Sequence, residues 1–484
     1  MTPRELLHRL SSGQASLRAA CANAYGHHPD LIETACTRLW ALARHYADTF
    51  SPDDSIVVVR APGRVNLIGE HTDYNGLPVM PMAISRDVLV MASRAADMSV
   101  SISNVEGMFE PRAFLLERHI PPFAPGDWGN YVKSAMQGLI DHWGSADGLS
   151  GLRMAISGNV PVASGLSSSA AFTIACALAL LTVHKRALDP LQFADVMAQS
   201  DHYVGMASGG MDQAASILGR AGACLKIDFF PLRVQPVQLP PGTAIVVCHS
   251  RVKAAKAGNA RDEYNRRVVE CRLATAVLHA AAPSSAREPQ LLSQWLAWDT
   301  SGLDDAVARI NATLHPEPYR LPELARILSL SEEKLRATLC TTKTGIRCSE
   351  PPNGFHLLKR ARHVITETRR VEAALAVLTA MPPDAARRFG ELMNQSHVSC
   401  RDDYAISCPE LEELVSAARD AGAYGARLTG AGFGGCTVNL VPADAAPQFI
   451  QAVNRAYYAP HQLDHLPDNQ FIFAPASGAG VLVA

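Results

Sequence analysis

The sequence has almost no net charge: 44 lysines and arginines stand against 46 aspartates and glutamates, a formal charge of -2. A nucleic-acid binder needs a basic excess, so that class is set aside. A small anionic ligand is not, because a local site can be positive on a near-neutral protein. No apolar run reaches the ~18 residues that suggest a membrane span. The first residues, MTPRELLHRLSSGQ, lack the apolar core of a secretory leader. The eleven cysteines form no CxxC pair and show no regular spacing. They read as reduced thiols rather than a disulfide framework or a zinc site. These absences leave a soluble cytoplasmic protein as the expectation. What is present is bulk: 484 residues, 48% of them hydrophobic. That is enough for more than one core, with a length prior of about two to three domains.

Taken in order, residues 1–50 read as helices. ELLHRL is a short amphipathic piece, and LIETACTRLWALARHYADTF has apolar groups at three- and four-residue spacing. Both suit the outside of a domain. From Ser55 the pattern turns to strands: SIVVV, LPVMPMAI, DVLVMASR, SVSISNV and the run around FLLER, with a turn at Asp73–Gly76. Helical periodicity returns from Trp128 to Trp143. LRMAISG, ACLKIDF and TAIVVCHS are further strands, and PLRVQPVQLPPG is a proline-rich connection that suits a crossing between domains. RDEYNRRVVECRLATAVLHAA reads as a helix. Residues 283–355 read as short helices with loops, TTKTGIRCSEPPNG being an exposed loop. HLLKRARHVITETRRVEAALAVL is an amphipathic helix whose arginines are expected on a solvated face. Pro409–Asp420 is a helix, CTVNLV a strand, and FIFAPASGAGV a final strand with an exposed tail.

Some stretches hold more polarity and glycine than packing needs. Arg60–Gly76, RAPGRVNLIGEHTDYNG, contains Arg64, Glu70, His71, Asp73 and three glycines. It reads as a loop that binds a small polyol: each carboxylate can accept two hydroxyl hydrogen bonds, and the histidine can donate or accept. A plain strand-turn-strand with a solvated tip fits the same residue types. Pro161 to Ser169 is rich in glycine and serine and feeds an apolar helix, Ala170 to Val183. A helix N-terminus after such a loop is an anion site, and its serines can meet phosphate oxygens or Mg²⁺. It is not the GxxxxGK[ST] loop, since no lysine follows the glycine; serine caps alone would also account for it. Asp212 follows Gly209 and Gly210 in GGMDQ. A carboxylate held there can act as a general base toward a sugar hydroxyl, and an N-cap aspartate is the plain alternative. RLTGAGFGGC carries glycines at 430, 432, 434 and 435 that let the backbone approach a ligand or another loop. Trp128 and Tyr131 suit an adenine pocket or an ordinary core.

GRVNLIGEHTDYNG closely resembles the signature segment of galactokinases, within the small-molecule kinases that include homoserine, mevalonate and phosphomevalonate kinases. PVASGLSSSAA resembles the phosphate loop of that group, and GGMDQ the segment with the catalytic aspartate. RLTGAGFGGC resembles the third motif, which lies beside the phosphate loop. The motifs stand in the family's order, and the similarity runs from about Leu39 to about Val481. HPEPYRLPELARILSLSEEKLRATL resembles the insertion of yeast-type galactokinases and N-acetylgalactosamine kinases.

The resemblance implies an α+β, two-lobed small-molecule kinase fold with the active site in the cleft. It implies an N-terminal lobe with a left-handed βαβ crossover, against the general handedness rule, and a ferredoxin-like C-terminal lobe. The implied division is a helical extension (1–50), a sugar- and ATP-binding lobe (51–240) and a C-terminal lobe (241–484) with a helical insertion around 283–355. The implied reaction is ATP-dependent phosphorylation of the anomeric hydroxyl of galactose, giving α-D-galactose 1-phosphate. Asp212 would be the base and Arg64 its charged partner. The resemblance assigns the sugar to Arg64, Glu70, His71, Asp73, Gly209, Asp212 and Tyr264. It assigns ATP to Pro161, Ser164, Gly165, Leu166, Ser167, Ser168, Ser169, Ala170 and Gly432. Mg²⁺ falls to Ser168 and Asp201, the latter near a position where family members carry glutamate. A monomer acting on galactose or a close hexose is expected. Two readings share these motifs. One is an N-acetylgalactosamine kinase, against which Tyr264 leans, since acetamido-specific members carry phenylalanine there. The other is a non-catalytic galactose and ATP sensor, whose yeast representatives lack residues in the phosphate loop that is uninterrupted here. DYNGLPVMPMAISRDV lacks the second glycine after NG and the aspartate before Arg that many members have, which bears on fine specificity.

Overall fold

The structure is a computed structural model that describes residues 1–26, 29–206, 209–252, 260–281, 289–298, 302–342 and 345–484. Positions 283–288 and 299–301 of the expected helical insertion, and 343–344 of its exposed loop, lie outside the described residues.

Three helices open the chain, α1 (Pro3–Ser11), α2 (Ala15–Tyr25) and α3 (Pro29–Thr49). They lead into β1 (Ile56–Ile68), which corrects the expectation of a loop beginning at Arg60. The apolar side chains of Val58, Val59, Ala61, Val65 and Leu67 are buried, and a strand covered on both faces needs no polar alternation. Pro62 and Gly63 are absorbed by a register shift against β2 (Met80–Arg94). LPVMPMAI and DVLVMASR are therefore one long strand, not two. β3 (Ser99–Asn104), β4 (Arg112–Leu115), α4 (Gly129–Trp143), β5 (Leu152–Gly158) and α5 (Ser168–Val183) follow. β5 pairs parallel with β3 and antiparallel with β2. The α5 helix is apolar all round because it packs on β1 and β2 and also against α4. α6 (Pro190–Ser200) and α7 (Met211–Leu218) complete this layer, while α1 to α3 cover the other face through Leu39, Leu42 and Tyr46.

β6 (Ala223–Asp228) and β7 (Arg233–Gln238) form a hairpin. The proline-rich stretch read as a connection thus contains a strand, and Pro236 is tolerated because β7 has a partner on one side only. The crossing to β8 (Thr243–His249) is only the short segment after it. A helical region comes next: α8 (Ala260–Ala281), α9 (Leu292–Trp298), α10 (Leu303–Thr313), α11 (Leu321–Ile327), α12 (Glu332–Thr338), α13 (Leu357–Ala380), α14 (Ala385–Asp402) and α15 (Pro409–Asp420). The arginines of α13 are not all on a solvated face. Arg360 is buried, donating to Glu270 at 2.7 Å and to the Asp403 carbonyl. β9 (Gly425–Thr429), β10 (Cys436–Pro442), α16 (Ala446–Val453) and β11 (Gln470–Phe473) complete a second, antiparallel sheet in the order β11-β8-β10-β9.

The tail expected to be exposed instead returns to the first sheet. β12 (Gly480–Val483) pairs with β1, giving the order β12-β1-β2-β5-β3-β4. Arg60 anchors this return, donating to the carbonyls of Ser477 (2.9 Å) and Gly478 (3.2 Å) and to Asp87 at 2.7 Å. Asp87 also takes Arg38 of α3 and the Tyr25 hydroxyl of α2, each at 2.6 Å. Removing one member of such a buried charge cluster leaves the rest unpaired, at a cost of about 3–5 kcal/mol. No helix among the described residues is long and apolar enough to cross a membrane.

Candidate active site

Past the end of β1 the chain makes the tight turn Gly69–Gly76, every residue of which is buried. Glu70 points at the second sheet: its Oε2 accepts from Arg427 Nη2 at 3.0 Å and from the Gly430 N–H at 3.2 Å. Burial pushes its carboxyl up to about 6, with Arg427 and Arg64 pulling the other way. His71 has a left-handed backbone, φ 61°, and burial pushes its imidazole down to about 3. The ring is therefore neutral. Nε2–H donates to the Ala431 carbonyl at 3.2 Å, which leaves Nδ1 to accept from the Tyr74 hydroxyl at 3.0 Å. Tyr74 meets Tyr404 at 2.6 Å. The Tyr264 ring lies 5.3 Å from His71 and 5.5 Å from Tyr74, centroid to centroid.

Asp73 is pushed up to about 6 by burial first and by the charge of Asp212 second. It accepts from the N–H of Met211, the first residue of α7, at 3.5 Å. Gly209 crosses the turn so closely that a Cβ there would stand 2.2 Å from the Tyr74 nitrogen and 2.4 Å from the Asp73 carbonyl carbon. Only glycine allows the two segments to meet. Asp212 is in the first turn of α7 rather than at its cap, which is Gly210. Its Oδ1 is 2.5 Å from Arg64 Nη2. Arg64 also donates to the Gly165 carbonyl at 2.5 Å, and its buried Nε has no partner. One guanidinium thus links β1, α7 and the serine-rich loop. Asp201 accepts from Gln213 Nε2 at 2.7 Å.

The loop before α5 ends at Ser167, which has φ 57° and makes no capping hydrogen bond. Serine capping does not explain this residue: its buried Oγ has no partner. Ser164 Oγ donates to the Pro161 carbonyl at 2.7 Å. Leu166 and Ala170 turn into the core. The loop leans backbone to backbone on the glycine stretch after β9. A Cβ on Gly165 (φ 79°) would be 2.8 Å from the Thr429 carbonyl oxygen, and one on Gly430 would be 2.7 Å from that of Gly165. Gly432 lies further along, against the Ile406 carbonyl. Ser164, Gly165 and Ser167 to Ser169 line a cavity of about 530 Å³ that also receives Arg64, Asp212 and Ala431. Its far wall is aromatic. Trp128 stacks on Phe172 at 5.9 Å and meets Phe109 edge-on at 5.8 Å, with Tyr131 beside them.

The arrangement therefore sets a carboxylate–guanidinium pair between a buried polar turn and a serine- and glycine-rich loop that borders an aromatic slot. Phe109, Phe172, Gln213 and Arg427 were not among the expected site residues. Arg427 and Gln213 had a local signal, as the first residue of RLTGAGFGGC and the last of GGMDQ. The others become visible when distant segments are brought together.

Comparison with known proteins bears on each part. Residues 44–94 match the galactokinase galactose-binding signature, residues 130–220 the GHMP kinases N terminal domain and residues 380–459 the GHMP kinases C terminal family. The chain is 32% identical over 472 residues to a galactokinase of Dictyostelium discoideum, covering 90% of this chain and 92% of that one. It is 34% identical over 423 residues to a galactokinase of Homo sapiens, covering 86% and 91%. The crystal structure of Lactococcus lactis galactokinase complexed with galactose superposes with a TM-score of 0.70 at 28% identity, covering 92% of this chain and 99% of that one.

Proposed function

The chain belongs to the galactokinase family, and from that premise we propose that Arg64 and Asp212 sit at the point of phosphoryl transfer from ATP to the anomeric hydroxyl of galactose. The chain phosphorylates galactose; the product under this reading is α-D-galactose 1-phosphate with ADP. The observation that carries the residue assignment is the 2.5 Å pair opening on the cavity of the serine-rich loop.

The chemistry follows from charge. Phosphoryl transfer needs an in-line hydroxyl and relief of negative charge on the transferring group. Asp212 is positioned to take the hydroxyl proton. Arg64 pairs with that carboxylate and offers charge to the developing phosphate oxygens. Asp73, His71, Glu70, Gly209 and Tyr264 bound the sugar side. Hydroxyls that pair with its buried groups are selected, because a sugar lacking one leaves a buried polar atom unpaired. Ser164, Gly165 and Ser167 to Ser169 receive the phosphates at the α5 N-terminus, and the Trp128–Phe172 slot takes the adenine.

Mg²⁺, when bound, supplies charge neutralisation on the phosphates. Asp201 and the Ser168 hydroxyl offer the hard oxygen donors that it takes, and Gln213 holds one Asp201 oxygen in place. Among the described residues no group of three or more His, Cys, Asp or Glu forms a metal site. That fits an ion held by one or two protein oxygens and substrate phosphates. A cytoplasmic monomer completes the reading.

The test is ADP release with Mg-ATP and, in parallel, galactose, N-acetylgalactosamine, glucose or no sugar. Turnover with galactose is expected; better turnover with N-acetylgalactosamine would move the chain to the sister activity. Asp212→Asn should bind galactose but lose roughly three orders of magnitude in kcat. Unchanged turnover would remove Asp212 from the reaction.

A further inference from the structure

Where β1 ends, the N–H groups of Gly69 and Glu70 have left the sheet ladder and are buried. Both donate to one oxygen, Glu367 Oε1, at 2.8 and 3.2 Å. Glu367 lies on α13, nearly three hundred positions away, and is fully buried. Its orientation is fixed by Ser396 of α14, whose hydroxyl donates to Oε1 at 2.5 Å, and by Arg370 Nε, which donates to Oε2 at 2.7 Å. One turn earlier on α13, His363 Nε2–H donates to the Glu70 carbonyl at 3.0 Å. Its Nδ1 accepts from Ser399 at 2.9 Å. One turn later, Val371 packs against Gly69, where a Cβ would come within 2.9 Å of its Cγ2.

Three residues at i, i+4 and i+8 therefore form a stripe that grips both the donors and the acceptor of one short stretch of main chain. The peptide they hold directs the Glu70 side chain to Arg427 and starts the left-handed turn at His71. Neither His363 nor Glu367 lines the cavity that receives the phosphate loop. Burial alone would raise the Glu367 carboxyl, but Arg370, His363 and Arg427 outweigh it and hold it down at about 2. It therefore acts as a charged acceptor, the stronger kind.

We infer that Glu367 and His363 are positioning residues for the sugar: they set the Gly69–Glu70 peptide, and through it the place of Glu70 and His71, so that galactose affinity depends on them and nucleotide affinity does not. The inference rests on the galactose kinase reading above. Glu367→Gln keeps the shape but loses the charge, and its amide nitrogen has no good place beside Arg370. His363→Gln keeps an N–H donor on a different geometry.

For each variant, calorimetry with galactose alone would be combined with KM and kcat for both substrates. We expect galactose Kd and KM to rise about tenfold, with KM for ATP and kcat at saturating galactose within about twofold, as suits the weakening of a charge-assisted hydrogen bond. Unchanged galactose affinity in both folded variants would overturn the inference alone, and so would a parallel rise in both KM values. If Glu367→Gln does not fold, His363→Gln decides. Failure of the unsubstituted protein to bind galactose would overturn the functional reading first.

Discussion

From Gly69 to Gly76 every residue is buried, whereas in the loop from Pro161 to Ser169 the residues Val162, Ala163 and Ser169 stand exposed. The first segment is held by side chains from α13, β9 and α8; the second rests on the glycine stretch main chain to main chain, with Arg64 reaching its Gly165 carbonyl. Val162 is 69% exposed, and the nearby Ser167 hydroxyl has no partner within the protein. In the buried turn, which we assign to the sugar, Glu70 and His71 have their partners before any ligand arrives. The difference teaches that one site can be organised in two ways. A neutral polyol has to be recognised by direction, so its receptors are fixed in place by buried hydrogen bonds. A polyanion can be recruited by charge and by N–H groups that its own oxygens complete.

The comparison can be broken from its phosphate side, and there the effect should be largest. Gly165→Ala puts a methyl 2.8 Å from the Thr429 carbonyl oxygen at φ 79°. A left-handed non-glycine residue alone costs about 1–2 kcal/mol. We expect kcat/KM for ATP to fall about a hundredfold while calorimetric galactose binding persists. Loss of both would mean that the two halves are not separately organised.

Next in size is Asp73→Asn, which separates binding from stability. Galactose KM should rise about thirtyfold, as suits a charged acceptor replaced by a neutral one. The stability change has the opposite sign. Folding raises this carboxyl from 3.8 to about 6, so the folded state holds the proton more tightly than the unfolded one. The stability that goes with protonation is complete below pH 4 and is lost as pH rises through 6. The asparagine variant escapes that loss. Its Tm without ligand should match the parent near pH 4 and exceed it at pH 8, with a ceiling of roughly 3 kcal/mol. A lower Tm at pH 8 would show that Asp73 is stabilising as the anion.

The smallest effect sharpens the contrast at its aromatic edge. Trp128→Ala opens the slot against Phe172 and should raise KM for ATP about five- to tenfold, leaving galactose KM unchanged, since loss of a stacked ring costs about 1 kcal/mol. An equal shift for both substrates would place Trp128 in the scaffold.

Much of this was legible in the sequence where one element carries its own signal. Helix Pro409–Asp420 has local periodicity, the helix after the serine-rich loop is a continuous apolar run, and the sugar, phosphate and glycine motifs are each contiguous. The failures have physical causes. Arg60 and Arg64 looked like loop residues because charge in a buried strand is invisible until its partners, Asp87 and Asp212, arrive from elsewhere. Pro236 hid β7, because proline argues against a strand unless that strand is an edge. Arg360 read as part of a solvated face of α13, and Glu367 beside it carried no signal of its own. What buries them is Glu270 from one helix and the Gly69–Glu70 peptide from the first sheet, and neither lies near them in the chain.

The return of β12 to β1 has a consequence for how the protein is made. The strand that leads into the sugar signature is synthesised well before the partner of its outer edge, Val481 opposite Val59, which follows more than four hundred residues later. Until then β1 presents an open row of backbone donors and acceptors, the kind of edge on which other chains can assemble. Val58 to Arg60 and Gly480 to Val483 thus belong to one sheet edge, although nearly the whole chain lies between them. The first sheet is closed only after every element between β1 and β12 has been made.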